Sequence, residues 1–273
     1  KSLIENGAPP KIEIRNLPMN SNNILIGDVF PTTTSDKQGP DSDWKVEVWM
    51  SGENAGKQKL QDVPNNKNLC LLLGAGNQGL LAICDALYLL FIENHTCIVK
   101  HNPVREYNHY WISKLFEPLT NKGFFASITG SIDVSKKLVY DSRIDRIHMT
   151  GGKKTHDLIV WDDPVKRDRN ILNKPITSEL GSVTPWIMTP GEWNDNEIEH
   201  HAKYFATALM ANNGCNCMAP QLLILPSESQ GFPVEKFLIQ VKNVIRSRPH
   251  APPYYPGTKE RYQTWIKHFD ECK

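Results

Sequence analysis

The chain has 273 residues, 40% of them hydrophobic and 22% charged, with a formal net charge of +1 at pH 7. That length supports one or two domains with a substantial core, and the composition excludes a disordered or fibrous chain. A balance this close to neutral implies neither nucleic acid nor an anionic membrane surface as partner.

Residues Lys1 to Asn68 yield little. Asn20 to Asn23 and Thr32 to Asp43 are rich in polar, turn-forming residues, and Trp44 to Trp49 alternates like a half-buried strand. An edge hairpin with long surface loops and no chemistry is expected there. From Leu69 onward, strands alternate with helices. Strands are expected at Leu69–Leu73, Thr96–Lys100, Phe125–Thr129, Arg146–Met149, Pro175–Leu180 and Pro185–Thr189. Helices are expected at Gln78–Ile92, Val104–Asn121, Val134–Tyr140 and Thr155–Val160. The alternation implies an α/β fold, a mostly parallel sheet with helices on both faces and ligands beyond the carboxyl ends of its strands. Leu80 to Ile92, the longest apolar run, is interrupted by Asp85 and is too short to span a bilayer, so it reads as a buried helix. No basic-apolar-small signal peptide opens the chain, and there is no internal repeat.

Six cysteines (Cys70, Cys84, Cys97, Cys215, Cys217 and Cys272) form no small secreted disulfide framework, and three lie in apolar stretches. This suits a reducing, cytoplasmic compartment. The first residue is Lys1 rather than Met, so a processed, truncated or partial polypeptide is expected.

Gly74 to Gly79 follows a strand, opens a helix and fits Gly-x-Gly-x-x-Gly. An ordinary dinucleotide fingerprint also needs an acidic residue ending the second strand. Glu93 precedes that strand, which ends instead in Ile98-Val99-Lys100. Further on, the amphipathic run Glu197–Met210 leads into Asn212-Asn213-Gly214-Cys215-Asn216-Cys217-Met218-Ala219-Pro220 and then a short apolar run, Gln221–Leu225. A helix, a tight Asn-Gly turn presenting a cysteine and a strand are expected. A thiol near helix termini and backbone amides is open to activation, although both cysteines also fit as small buried hydrophobes.

Together with Thr177-Ser178-Glu179-Leu180-Gly181-Ser182-Val183-Thr184-Pro185, this stretch resembles the aldehyde dehydrogenase superfamily. There a Glu-Leu-Gly-Gly segment carries a general base and an Asn-x-Gly-Gln-x-Cys segment the nucleophile. The resemblance puts the base at Glu179 and the nucleophile at Cys217, with departures at Ser182 (usually Gly) and Cys215 (usually Gln). It also implies that Asn77, in the place of the asparagine in Trp-Asn-Phe-Pro, donates to the developing oxyanion. Lys100, in the place of the lysine in Val-x-Lys-Pro, would meet the adenosine ribose. Thr150, Gly151 and Gly152, in the turn resembling Phe-Thr-Gly-Ser, and Gly76 would face the nucleotide. Gly76 and Gly79 replace the bulky Trp and the Pro around the asparagine, which predicts a more flexible loop. Lys100-His101-Asn102-Pro103 lacks the acidic group that favours an unphosphorylated ribose, which leaves NAD and NADP both open.

The implied fold is Rossmann-like, with residues 1–180 nucleotide-binding and 181–273 part of a second, cysteine-bearing α/β catalytic domain. The implied activity is oxidation of an aldehyde, as a small-molecule substrate, to a carboxylic acid through a cysteine thioester with hydride transfer to NAD or NADP, in a possible homo-oligomer. Its alternatives are an acyl-CoA or acyl-phosphate reductase and an inactive member that binds a nucleotide or partner. The family's later Glu-x-Phe-Gly-Pro cofactor segment is not found. Zinc at Cys215, Cys217, His200 and His201 is disfavoured by their spacing, and a serine hydrolase by the lack of a Gly-x-Ser-x-Gly elbow.

Overall fold

The computed structural model describes residues 12–16, 24–50, 68–163, 165–167 and 169–269. Expectations about Asn20 to Asn23 and Cys272 lie outside them. The chain forms two compact units, Lys1–Pro64 and Asn65–Lys273.

In the first unit, β1 (Glu13–Asn16), β2 (Leu25–Phe30) and β3 (Val46–Met50) form an antiparallel sheet in that order. A short helix, α1 (Thr34–Gln38), arises inside the stretch expected to be turn. Thr33 Oγ1 accepts from Asp36 N at 3.1 Å, and Asp36 returns the bond from Thr33 N at 2.8 Å. The polar residues taken for turn formers are therefore a helix cap.

The second unit is built on a parallel sheet of β4 (Leu69–Leu73), β5 (Thr96–Lys100), β6 (Phe125–Ile128), β7 (Arg146–Gly151) and β8 (Ile176–Leu180), in the order β6-β5-β4-β7-β8. β4 is buried on both faces, which explains its uninterrupted apolar run. Its Cys70 and Leu72 pack with Ala82, Ala86 and Leu89 of α2 (Leu81–Phe91) and Ile112 of α3 (Asn108–Leu115). Its Leu71 packs on the opposite face with Val139 of α5 (Ile132–Val139) and Val160 of α6 (Lys153–Trp161). Each fully buried leucine contributes about 1.5–3 kcal/mol of transfer free energy. The crossover helices change face between β4 and β7, so the loops leaving those two strands flank the switch-point crevice where such folds bind ligands.

Two helices differ from the sequence reading. α2 starts at Leu81, and only Ala82, Ala86 and Leu89 are buried, while Leu87, Tyr88 and Phe91 are exposed. Only the stripe facing the sheet is covered, although the sequence is apolar nearly all round. The helix expected over 104–121 is broken into a 3₁₀ turn (Pro103–Arg105), α3 and α4 (Glu117–Thr120). Pro118 has no N–H for a continuous helix and instead sits in the first turn of a new one.

After β8 the chain leaves the large sheet. β9 (Thr184–Ile187) pairs in parallel with β10 (Pro220–Ile224) in a separate two-stranded sheet. A parallel neighbour of β8 would need a crossover longer than residues 181–183. The intervening α7 (Asp195–Met210) is capped by Asn194, whose side chain bonds Asn196 N and Glu197 N, so it begins two residues before the expected start. It packs with α8 (Val234–Ser247) through Ile198, Ala202, Phe205, Phe237 and Val241. A last helix, α9 (Thr258–His268), follows. Among the described residues, no helix is long and apolar enough to cross a membrane.

Candidate active site

Three loops of the second unit meet at Asn77. The turn leaving β4 is anchored where Gly74 N donates to Lys100 O at 3.0 Å. Asn77 Nδ2 then donates to the backbone carbonyl of Cys215 at 2.8 Å. In return, Asn212 Nδ2 donates to the carbonyl of Asn77 at 2.8 Å. The third loop brings Arg105, whose Nε donates to Gly76 O at 2.9 Å and whose Nη2 donates to Asn77 O at 2.7 Å.

The cysteine turn is local in origin. Asn212, Asn213 and Gly214 have φ of 53°, 55° and 70°, three successive left-handed residues that end α7 abruptly. Asparagine and glycine are the residues that tolerate this conformation. Cys215 N closes the turn on Asn212 O at 2.9 Å. The two thiols then diverge. Cys215, its Sγ 3.7 Å from Asn213 O, neighbours Tyr254 and lines a cavity of about 830 Å³ between 207–215 and 248–258. Burial, and then the neighbouring Cys215, push the Tyr254 phenol up. Cys217 lies outside that cavity's lining, half-buried, with Sγ 3.7 Å from Asn216 Oδ1. Elsewhere, burial pushes Cys70 up to about 12 and Cys97 higher still, which makes both inert.

Glu179 is exposed on β8, in register with Thr150 of β7. Beneath it, Thr177 Oγ1 and His148 Nδ1 are 2.8 Å apart, and His148 Nε2 lies 3.7 Å from Asp85. Burial, less the effect of His148 and with some repulsion from Glu179, raises the Asp85 carboxyl. The strand of Glu179 and the loop of Cys217 are stitched together through the departure at Ser182. Ser182 O accepts from Gln221 Nε2 at 2.8 Å, and its hydroxyl is 2.9 Å from Thr184 Oγ1, which donates to Cys217 O at 3.0 Å.

The residues expected at the nucleotide cluster at the carboxyl ends of the strands. Lys100 ends β5 with only 3% of its surface exposed, and burial lowers its ammonium pKa against the opposing pull of Glu106. Thr150 and Gly151 end β7, and Gly152 caps the N-terminus of α6. A Cβ at Gly152 would meet nothing within 4 Å, so this helix start is open to a ligand's phosphates. These residues fit a dinucleotide. Gly76 is different: a Cβ there would lie 2.9 Å from Tyr255 Cζ, and closer still to its hydroxyl. The sequence reading missed Arg105, Tyr254 and Tyr255, and marked Asn212 only as part of the turn. The run Pro252-Pro253-Tyr254-Tyr255-Pro256 was the one signal that could have marked the last two.

The model of the aldehyde dehydrogenase family matches residues 70–258. Aldehyde dehydrogenase family 3 member A2 of Mus musculus is 23% identical over 192 residues, covering 70% of this chain and 37% of that protein. The Rattus norvegicus protein of the same name is 22% identical over 210 residues, covering 77% and 40%. The chain thus spans about two fifths of the length of the curated relatives it matches. Succinic semialdehyde dehydrogenase from Streptococcus pyogenes, solved with NADP+, aligns with TM-score 0.58 and 15% identity over 93% of this chain and 48% of that one. Aldehyde dehydrogenase C from Pseudomonas syringae, solved with NAD+ and octanal, aligns with TM-score 0.53 and 19% identity over 66% and 35%. At these identities the solved structures show a shared fold.

Proposed function

Because the chain belongs to the aldehyde dehydrogenase family, we propose that it carries the nucleotide-binding part (1–180) and the cysteine-bearing part (181–273) of an enzyme that oxidises an aldehyde to a carboxylic acid. Lys100, Thr150, Gly151 and Gly152 would hold NAD or NADP, which when bound supplies the hydride acceptor; Gly76, expected beside them, is covered by Tyr255 instead.

The protein's own chemistry begins at Cys217. Its thiolate attacks the aldehyde carbon; the C–S bond forms as the carbonyl π pair moves onto oxygen. The new alkoxide is met by Asn77 Nδ2 and the Cys217 backbone N–H. An asparagine amide has two hydrogens. With one fixed on Cys215 O at 2.8 Å, the rotamer is set and the second remains for the oxyanion. Loss of hydride from that carbon leaves a thioester on Cys217. Glu179 then takes a proton from water, and the resulting hydroxide displaces the thiolate and releases the acid.

The observation that carries this reading is the Asn77–Cys215 bond, because it ties the turn after β4 to the loop bearing the nucleophile. The experiment is a single turnover with an aliphatic aldehyde and either nucleotide, following reduced cofactor and the mass of the cysteine peptide. The reading expects a burst and an acyl adduct on Cys217, and it fails if neither forms. A second reading is a non-catalytic nucleotide binder, favoured by the seat of Tyr255 against Gly76. It predicts nucleotide binding without any burst.

A further inference from the structure

We propose that Arg105 is a positioning residue for Asn77, and that it supplies from outside the loop the stiffness that Gly76 and Gly79 withhold. This rests on the reading of Asn77 as an oxyanion donor.

An oxyanion donor works only if it is already in place when charge develops, and an error of about 1 Å costs roughly two orders of magnitude. Asn77 sits in a stretch with little stiffness of its own, with glycine immediately before it and again two residues on. Arg105 corrects this through geometry. Its Nε bonds the carbonyl of Gly76 and its Nη2 the carbonyl of Asn77. Those carbonyls belong to the peptide groups on either side of the Asn77 α-carbon. Fixing both planes fixes the backbone direction from which the side chain departs. A planar guanidinium can hold two acceptors in one fork, whereas an ammonium cannot.

The guanidinium is itself held. Its Nη1 donates to the Tyr107 hydroxyl, and its carbon lies 5.2 Å from the centre of the Tyr254 ring. The Tyr254 hydroxyl donates to Asn212 Oδ1 at 3.0 Å, and Asn212 bonds Asn77 O in turn. The spaces above the two glycines are also filled by residues from elsewhere. Tyr255 occupies the space over Gly76, and Asn108 lies where a Cβ on Gly79 would point. Arg105 reaches the loop because β4 and β5 are parallel neighbours, so the turn leaving β5 lies beside the one leaving β4.

The test uses the full chain with an aldehyde and NAD or NADP. The first readout is the pre-steady-state burst rate; the second is the side-chain ¹H–¹⁵N signals of Asn77, assigned by their loss in Asn77→Asp. Arg105→Ala should slow the burst by roughly tenfold to a hundredfold, with nucleotide affinity unchanged. It should also shift or broaden the Asn77 signals. Added guanidinium ion should restore both, and Arg105→Lys, which keeps the charge, should restore neither. Unmoved Asn77 signals in Arg105→Ala, full activity in Arg105→Lys, or a wild-type burst in Arg105→Ala when Asn77→Ala itself slows the burst would each overturn the proposal. If Arg105→Ala does not fold, Arg105→Lys decides by the same readouts. If Asn77→Ala leaves the burst intact while Arg105→Ala still moves the Asn77 signals, the brace stands and the oxyanion role of Asn77 falls.

Discussion

Replacing Gly76 with alanine tests how tightly the segment around Tyr255 is seated. The new Cβ would lie 2.9 Å from Tyr255 Cζ and 3.0 Å from Asn102 Cγ, both well inside ordinary carbon–carbon contact. Neither neighbour yields easily. Tyr255 packs against Tyr254 with ring centres 5.2 Å apart and planes tilted by 40°, and its carbonyl accepts the Thr258 hydroxyl at 2.7 Å at the start of α9. Asn102 Oδ1 accepts Val104 N at 3.0 Å and caps the turn that carries Arg105. Forcing a methyl group into a filled space costs about 1–3 kcal/mol. For a unit of this size, each kcal/mol lowers Tm by about 2–4 °C, so a fall of roughly 2–12 °C is expected. Thermal unfolding followed by circular dichroism measures it, in the wild type and in a Tyr255→Ala background. There only the contact with Asn102 remains, and Gly76→Ala should cost less. An unchanged Tm in the single variant, or the same loss in both backgrounds, would refute the packing argument.

Further outcomes are expected at the reacting groups. Glu179→Gln should keep the single-turnover burst while steady-state turnover falls by about two to four orders of magnitude, with the acyl group detected by mass on Cys217. Unimpaired turnover would remove Glu179 from the mechanism. A limiting thiol reagent should modify Cys217 with loss of activity; a Cys217→Ala variant that still turns over, with the label on Cys215, would reverse the assignment. Lys100→Ala should weaken NAD or NADP in calorimetric titration, and unchanged affinities would move the ribose site elsewhere. His101 predicts a pH effect. Burial, then His109 and Lys100, push its imidazole down to about 4, against the pull of Glu106, while its Nε2 lies 2.8 Å from Ser127 Oγ. Between about pH 6.5 and 4 the unfolded chain binds a proton that the folded chain refuses. Its stability contribution is therefore intact above that window and falls through it with acid, by up to about 3 kcal/mol. Urea midpoints at the two ends of the window should converge in His101→Gln; an unaltered pH dependence would contradict this.

The parts of the molecule legible in the sequence are those written locally. Leu69 to Leu73 announces a strand buried on both faces, and alternation with helices announces the parallel sheet that is found. The cap of α1 is equally local, but Thr33 and Asp36 serve turns and helix starts alike, so the sequence does not separate the two. α2 misled because a sequence records apolarity and not what covers it. The brace on Asn77 was hidden for a different reason. Arg105 and Asn77 are 28 residues apart, and only the adjacency of β4 and β5 makes their loops neighbours. Tyr255 and Gly76 are further apart still, so a glycine that looked merely flexible is filled by a ring from near the other end of the chain.

The turn that presents the cysteines is also chemically perishable. Asn213 is exposed, sits in the left-handed region and precedes Gly214. With no side chain on the following residue, the Gly214 nitrogen can attack the Asn213 carboxamide carbon once the Nδ2 bond to Pro252 O (2.9 Å) opens, expelling ammonia and closing a succinimide. Hydrolysis of that ring leaves aspartate or isoaspartate, the latter with an extra methylene in the main chain. Either product would place a negative charge beside Cys215, and the longer one would strain the register that keeps the Cys215 carbonyl on Asn77. The residue pairing that makes so tight a turn accessible therefore also sets a clock on it. Aged protein would carry an altered turn while its sheets and helices stay intact, and peptide mapping would find isoaspartate at position 213.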